Sequence, residues 1–230
     1  MKPPNWLVSL LGILLVIVVP LFLVLSNVNA FMTPQFVYYE YGRASFPPSQ
    51  RFDAATRTKF AVATVRYTRG ELNNADLKNL GVYNERELSH MADVQNLAAG
   101  ALWLDYALGA LIALAVLALW RAGLGAAAAR GLFNGAALTL AIFGALGLFA
   151  LVAFNTFFVA FHQIFFVGDS WLFAYTDSLI QFYPQPFWVD ASLGIVVFTV
   201  LEALLLAALV FRANSDWVYG YILRLRGGRI

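Results

Sequence analysis

Cysteine is missing from this 230-residue chain, and charged residues are scarce. Without cysteine the protein has no disulfide, no thiol nucleophile and no thiolate ligand for a metal ion. Charged side chains make up 12% of the residues, about half the share that is usual in soluble domains. Histidine is also rare, because the chain has only 2. These shortages indicate that most of the chain is not in contact with water.

Several familiar catalytic motifs are absent too. The sequence has no H-E-x-x-H pattern, which argues against a membrane protease of the zincin type. It has no G-x-S-x-G turn around a serine and no glycine-rich phosphate loop before a helix. Nothing in it suggests nucleic-acid binding. We therefore expect no cofactor and no nucleic-acid partner.

Long apolar runs are what the chain has in abundance, since 61% of its residues are hydrophobic. At 1.5 Å per residue, four runs are long enough to cross a bilayer as helices. The strand alternation of a membrane barrel is not seen. We predict an all-α, polytopic membrane protein with four transmembrane helices and an extracytoplasmic helical insertion between the first two. The predicted spans are residues 6–28, 97–120, 132–161 and 191–211.

Two of these spans carry further signals. Residues 28–30 match a small-residue cleavage pattern, so the first span could be a signal peptide, but its long apolar core favours a retained anchor. The third span contains the pairs Gly131/Gly135 and Gly144/Gly147. Such glycines allow close approach of helices, and we expect them to mark packing within the bundle rather than a dimer contact.

Three segments lie between or after the spans. Residues 29–96 are the one sizeable polar segment, in which we expect an extended aromatic stretch at 31–50 and a helix at 52–68. Asn84 followed by Glu87 resembles a capping box, so a helix should begin at Glu85 and continue into the second span. Residues 162–190 are predicted to be an aromatic extracytoplasmic loop, and residues 214–230 a cytoplasmic interfacial tail.

The distribution of basic residues predicts the orientation. The loop between the second and third spans holds Arg121 and Arg130, and the C-terminal tail holds several more arginines. Residues 157–190 contain no lysine or arginine. By the positive-inside rule, both termini and the 121–131 loop are cytoplasmic, and residues 157–190 are outside.

Both histidines then fall on the outer side, on neighbouring helices. His162 ends the third span, and His90 precedes the apolar run of the second. Neutral imidazole accepts a proton and imidazolium returns it, so two histidines at one place are suited to general acid–base catalysis. The alternative is that each histidine is a simple interfacial residue, bonded to headgroups or backbone.

Nearby side chains could support such a pair. Asp93 and Glu87 lie three residues from His90 along the predicted helix, and Asp169 follows His162 by seven residues. Each could orient an imidazole ring, or could simply be solvated at the interface. A metal site would need Asp93, Asp169 or Asp177 to complete it, and we expect none. Phe165, Phe166 and Trp171 either anchor the chain in the interface or line a groove for lipid, and we expect them to line a substrate groove.

Two stretches, "ELSHMADVQNL" and "FHQIFFVGDSWLFAYTDSLIQFYP", each beside a span, resemble the lipoprotein intramolecular transacylase family of four-span bacterial membrane proteins. The resemblance covers essentially the whole chain. It implies an enzyme of the bacterial inner membrane that moves the sn-2 acyl chain of a diacylglyceryl-cysteine lipoprotein onto the α-amine of the same cysteine. The partners implied are a diacylated lipoprotein and membrane lipid. The two catalytic histidines of the family correspond to His90 and His162.

Other interpretations remain open from the sequence. The chain could be a non-enzymatic scaffold or lipid-binding subunit, or an acyltransferase acting between two lipids. We assign His90 as base and His162 as acid or oxyanion stabiliser, while the reverse assignment also fits the residues. The oligomeric state, the acyl-chain preference and the role of Glu202 in the fourth span are not determined by the sequence.

Overall fold

The computed structural model describes residues 3–213, and the predicted interfacial tail at 214–230 lies outside them. The described part contains helices and no strands, which confirms the all-α prediction. In chain order the helices are α1 (Asn5–Phe31), α2 (Pro34–Gly42), α3 (Ala54–Thr68), α4 (Asn74–Lys78), α5 (Glu85–Arg121), α6 (Gly125–Val152), α7 (Phe154–Phe165), α8 (Ser178–Phe182) and α9 (Gln185–Ala213).

Four of these helices, α1, α5, α6 and α9, are long and apolar enough to cross a membrane. They overlap the four predicted spans, and the chain is a multi-pass membrane protein. The insertion between the first two spans is helical as predicted, since it contains α2, α3 and α4. The predicted continuity from the insertion into the second span is confirmed by α5, which is a single helix of 37 residues.

Three predicted boundaries differ from the structure. The stretch 31–50 was expected to be extended, but α2 forms within it, with Pro34 at the start of the helix where proline is well accepted. The span 132–161 is two helices rather than one, because Ala153 leaves the helical region with φ −144° and ψ 47°. The expected loop at 162–190 contains the end of α7, all of α8 and the start of α9.

The described residues form two compact units, and α1, α5, α6 and α9 each contribute to both. The first unit contains residues 3–25, 105–146 and 196–213. In it α6 packs closely against α1: a Cβ added to Gly131 would lie 2.9 Å from the Leu15 side chain, and one added to Gly135 would lie 2.8 Å from Cβ of Val19. This packing is the role that the sequence predicted for the first glycine pair.

The second unit contains residues 26–104 and 147–195. Its core is aromatic and aliphatic, and Tyr67 and Phe182 are fully buried in it. Arg57 is also buried, and it donates to the carbonyl oxygens of Pro47 at 2.6 Å and Gln181 at 2.7 Å. Its guanidinium lies over the ring of Tyr41 at 4.7 Å. The insertion and the segment before the fourth span are therefore one packed body, and this body carries both histidines.

Candidate active site

His90 lies in the second turn of α5, and the start of that helix is fixed by a capping box. The Asn84 side chain accepts from the Glu87 backbone N–H at 2.9 Å, and the Glu87 carboxylate accepts from the Asn84 backbone N–H at 2.9 Å. This reciprocal pair satisfies two backbone donors that a helix end would leave unpaired. His90 is 8% exposed, and within the described residues its buried Nδ1 has no hydrogen-bond partner. Buried polar atoms are usually paired, so this unpaired nitrogen is an exception.

His162 lies near the end of the short helix α7. Its Nδ1 is 2.8 Å from the carbonyl oxygen of Phe158, one turn earlier. Because a carbonyl oxygen only accepts, Nδ1 must carry the hydrogen, and in the neutral ring Nε2 then has the free lone pair. The backbone of α7 therefore selects one tautomer and turns the basic nitrogen away from its own helix.

The two imidazole rings face each other. Their centroids are 6.5 Å apart, and the ring planes are inclined by 23°. Two rings more than about 12 Å apart could not both serve one reaction. The observed distance is short enough for both rings to reach a single reacting group.

Aromatic side chains surround the pair. Phe166 contacts both rings, at 4.8 Å from His90 and 5.5 Å from His162. Phe173 lies 5.3 Å from His90, and Trp171 lies 4.8 Å from His162. Phe158, whose carbonyl orients His162, also places its ring 4.1 Å from that imidazole. These rings cover the pair with apolar surface, so that His90 is buried and His162 is half-buried.

This burial affects the protonation of His162. Desolvation lowers the pKa of His162 below its ordinary value of about 6.5, although donation to Phe158 acts in the opposite direction. The ring is therefore neutral at neutral pH and is ready to accept a proton.

The three predicted orienting carboxylates do not hydrogen-bond to the histidines. Both oxygens of Glu87 are used elsewhere, one by Asn84 and the other by the backbone N–H of Leu179 at 2.8 Å. Asp93 is exposed and forms no hydrogen bond with His90. The side chain of Asp169 is exposed, and only its carbonyl oxygen takes part in the local bonding. The structure thus assigns orientation to backbone and aromatic contacts instead.

Of the three residues predicted to line a substrate groove, two contact the histidines and one does not. Phe166 and Trp171 are each 8% exposed and face the histidines, and their contact with a substrate stays a prediction. Phe165 is 49% exposed and packs on Phe161, so it does not line the pair. Helical spacing does not explain this difference, because Phe165 and Phe166 follow His162 by three and four residues and only Phe166 reaches the ring.

The sequence did not single out Phe158 or Phe173. Phe158 precedes His162 by four residues, which is the spacing of a helical side-chain contact, so its role could have been inferred from the sequence. Phe173 reaches His90 from a loop distant along the chain, and no local pattern predicts that contact.

Metal ligands do not gather at this site. In residues 3–213 no group of three or more histidine, aspartate or glutamate side chains could hold an ion. Asp177, the remaining carboxylate considered from the sequence, accepts from the side chain of Asn84 at 3.2 Å and from the backbone N–H of Ala174 at 2.8 Å.

Comparisons with known proteins agree with this architecture. Residues 13–188 match the family model described as lipoprotein intramolecular transacylase Lit. The crystal structure of the membrane integral lipoprotein intramolecular transacylase Lit from Bacillus cereus is similar in fold, with a TM-score of 0.74 over 98% of this chain and 100% of that chain, at 16% identity. An uncharacterized protein of Aquifex aeolicus (strain VF5) is 26% identical over 210 residues, which are 86% of this chain and 91% of that protein. The family match covers most of the sequence and both histidine segments, and the chain therefore belongs to the lipoprotein intramolecular transacylase family.

Proposed function

We propose that this enzyme moves the sn-2 acyl chain of a diacylglyceryl-cysteine lipoprotein onto the α-amine of the same cysteine, with His90 and His162 as its acid–base pair. The product is an N-acyl lyso-lipoprotein. The observation that carries the proposal is the 6.5 Å separation of the two facing rings inside an aromatic enclosure. Family membership supports a lipoprotein as the substrate.

The reaction suits a chain without an activated nucleophile. Amine and ester belong to one substrate molecule, so the enzyme has only to fold that molecule until the amine meets the carbonyl carbon. The α-ammonium, with a pKa near 8, must lose a proton before it attacks. The C–N bond then forms, the C–O bond to glycerol breaks, and the leaving glycerol oxygen must receive a proton. Two histidines can supply both transfers without forming an acyl-enzyme.

The hydrogen bond to Phe158 favours a particular division of labour. His162 holds its hydrogen on Nδ1, so its Nε2 is a ready acceptor for the amine proton. His90, opposite it, donates an N–H hydrogen bond to the carbonyl oxygen, and the imidazolium formed at His162 then returns its proton to the leaving glycerol oxygen. This is the reverse of the assignment first made from the sequence, and it was one of the two assignments that the sequence left open.

The enclosure contributes through exclusion of water. Hydrogen bonds to the developing oxyanion are stronger in a low-dielectric space than in water. Exclusion of water also protects the ester from hydrolysis, which would release a fatty acid and defeat the transfer. Phe166 and Trp171, both largely buried beside the rings, are the side chains that provide this dry surface.

The site should face the outer side of the bacterial inner membrane. The segment 157–190 lacks lysine and arginine, whereas Arg121 and Arg130 lie near the α5–α6 turn. This asymmetry favours an extracytoplasmic active site with cytoplasmic termini. Lipid-anchored cysteines are accessible at that surface, and the acyl chains can remain in the outer leaflet during transfer.

Replacement of either histidine tests the proposal. The variants are His90→Gln and His162→Gln, with Gln163→Ala, an exposed neighbour on α7, as the matched control. Purified enzyme is incubated with a diacylated lipoprotein, and the lyso-lipoprotein product is measured by mass spectrometry. We expect each histidine variant to lose about 100-fold or more in kcat, the range of general acid–base catalysis, while Gln163→Ala retains activity.

Three results would contradict the proposal. Full activity in both histidine variants would separate the rings from the chemistry and favour another role for them. Acyl transfer that proceeds between lipids when lipoprotein is omitted would identify an acyltransferase of different substrate class. A purely scaffolding protein would give no product even in its unaltered form.

A further inference from the structure

We infer that Arg86 is a positioning residue for this reaction: it holds the 167–173 loop so that Trp171 keeps the His162 ring in place opposite His90. The inference rests on the proposed function and goes beyond it, because Arg86 is neither acid nor base. It follows from how that loop is attached to the rest of the second unit.

The 167–173 loop carries two of the rings that contact the histidines. Trp171 touches His162, and Phe173 touches His90. Apart from the packing of these two rings, few hydrogen bonds attach the loop to the rest of the chain. Gly168 adopts a left-handed conformation with φ 59°, and Val167 is 92% exposed. Its internal hydrogen bonds, from Trp171 Nε1 to Gly168 O at 3.1 Å and from Leu172 N to Asp169 O at 3.1 Å, fix its shape but not its location.

Arg86 supplies the attachment. Its Nη2 donates to the carbonyl oxygens of Leu172 and Asp169, and its guanidinium lies 5.6 Å from the centre of the Phe173 ring. In the described part of the chain, it is the only side chain outside the loop that hydrogen-bonds to residues 167–173. A cation with several donors can bind two carbonyl oxygens and an aromatic face together.

The place of Arg86 on α5 makes this attachment relevant to catalysis. Arg86 precedes His90 by four residues, so the two lie one turn apart on the same face of one helix. The helix that carries one histidine thus also carries the anchor of the loop that packs on the other. Arg86 thereby links the positions of the two rings, and its loss should loosen Trp171 against His162 without removing either reacting group.

Arg51 offers a matched control. It too donates to a carbonyl oxygen of the segment after α7, that of Thr176 at 2.7 Å, and lies over a neighbouring ring, that of Phe52 at 5.0 Å. Neither Thr176 nor Phe52 has a ring contact with a histidine. Arg51→Ala therefore removes a similar set of contacts at a point that should not affect the histidine pair.

The test compares Arg86→Ala with Arg51→Ala in turnover and in nuclear magnetic resonance. Because the chain has 2 histidines, isotope-labelled histidine gives two ring signals, and His162→Gln identifies which belongs to His162. We expect Arg86→Ala to lower kcat about 10- to 100-fold with little change in KM, as misplacement of a reacting group does. The His162 signal should move as the ring current of Trp171 changes. Arg51→Ala should leave both kcat and the signal unchanged.

An unmoved His162 signal, an unchanged kcat, or an equal loss in Arg51→Ala would each overturn the inference. The resonance measurement needs no substrate, so it remains decisive if the unaltered enzyme makes no lyso-lipoprotein and the proposed function fails. If Arg86→Ala does not fold, Arg86→Gln is tested in its place, with the same expected outcomes. The unfolding midpoint of Arg86→Gln is then compared with that of Arg51→Ala.

Discussion

His162 shows how one backbone contact can determine the chemistry of a side chain. The carbonyl oxygen of Phe158 accepts its Nδ1 hydrogen and leaves Nε2 free. Trp171 and Phe166 cover the ring, and the burial keeps it neutral. Orientation, tautomer and protonation state are thus set by three neighbours, none of which takes part in proton transfer.

The pH dependence of turnover should report this burial. Only neutral His162 can accept a proton, and its lowered pKa keeps it neutral as the pH falls past about 6.5. We expect the acid limb of the kcat profile to lie below pH 6.5. In Trp171→Ala the ring becomes more exposed, its pKa rises toward the ordinary value, and the limb should move to higher pH. Steady-state rates across a pH series measure the limb.

Leu172→Ala is the control for that series, since Leu172 is the next residue and is 46% exposed. Its profile should match that of the unaltered enzyme. If the acid limb of Trp171→Ala lies at the same pH as that of the unaltered enzyme, or at a lower pH, burial by Trp171 is not the cause of the lowered pKa of His162.

At the scale of the element, Glu87 joins two helices. One carboxylate oxygen closes the capping box of α5, and the other accepts from the Leu179 backbone N–H in the first turn of α8. Glu87 is 1% exposed and its bond to Leu179 is buried, so the Leu179 N–H could not turn to water if the carboxylate were absent. A buried donor left unpaired is costly, and hydrogen bonds to charged groups are stronger than neutral ones.

We therefore expect Glu87→Ala to destabilise the protein by about 3 kcal/mol. Glu85 is the matched control: it is also acidic and in the first turn of α5, but it makes an exposed ion pair with Lys78 at 3.1 Å. Glu85→Ala should cost less than about 1 kcal/mol, as exposed pairs do. Unfolding by denaturant in detergent micelles measures both. If Glu87→Ala and Glu85→Ala lose the same free energy of unfolding, the hydrogen bond from Leu179 to Glu87 adds nothing to stability.

The sequence predicted some elements well because their signals are local. Asn84 and Glu87 form the expected capping box, and α5 starts where they indicate. The aromatic content of 31–50 suggested extended chain, although Thr33 and Pro34 together form an acceptable helix start. The break at Ala153 had no signal, because no proline or glycine lies there and only the packing of the complete chain decides it.

The sequence predicted that the two histidines lie together, but it did not predict which residues contact them. His90 and His162 could be brought together because short connections make neighbouring spans antiparallel. The orienting carboxylates were predicted from helical spacing, but tertiary contacts gave Glu87 other partners. Arg86 could not have been found, because its acceptors are backbone carbonyls more than eighty residues away along the chain.

At the scale of the whole molecule, the glycines of α6 differ in what lies against them. Gly135 faces α1 so closely that an added Cβ would meet Val19 at 2.8 Å and the Leu15 carbonyl at 3.0 Å. Gly144, on the same helix, has no atom within 4 Å of the corresponding position. Small residues in membrane helices are useful only where another backbone lies against them.

Gly135→Ala should therefore destabilise the protein by about 1–3 kcal/mol, since the helices must separate to admit the methyl group. Gly144→Ala should be neutral or stabilising by up to about 1 kcal/mol, because alanine favours the helix and meets no neighbour. Thermal unfolding in the same detergent compares the two. A larger loss in Gly144→Ala would show that an unseen surface covers that part of α6.

The unbroken course of α5 ties the depth of His90 to the span that follows. The ring is seven residues before residue 97, or about 10 Å along the helix, and no hinge intervenes. Lipids with longer acyl chains make a thicker bilayer, whose boundary rises along α5 toward the imidazole, while shorter lipids lower it. In the proposed reaction, the level at which an ester meets the His90 ring is thus set jointly by the protein and by the lipid species around it.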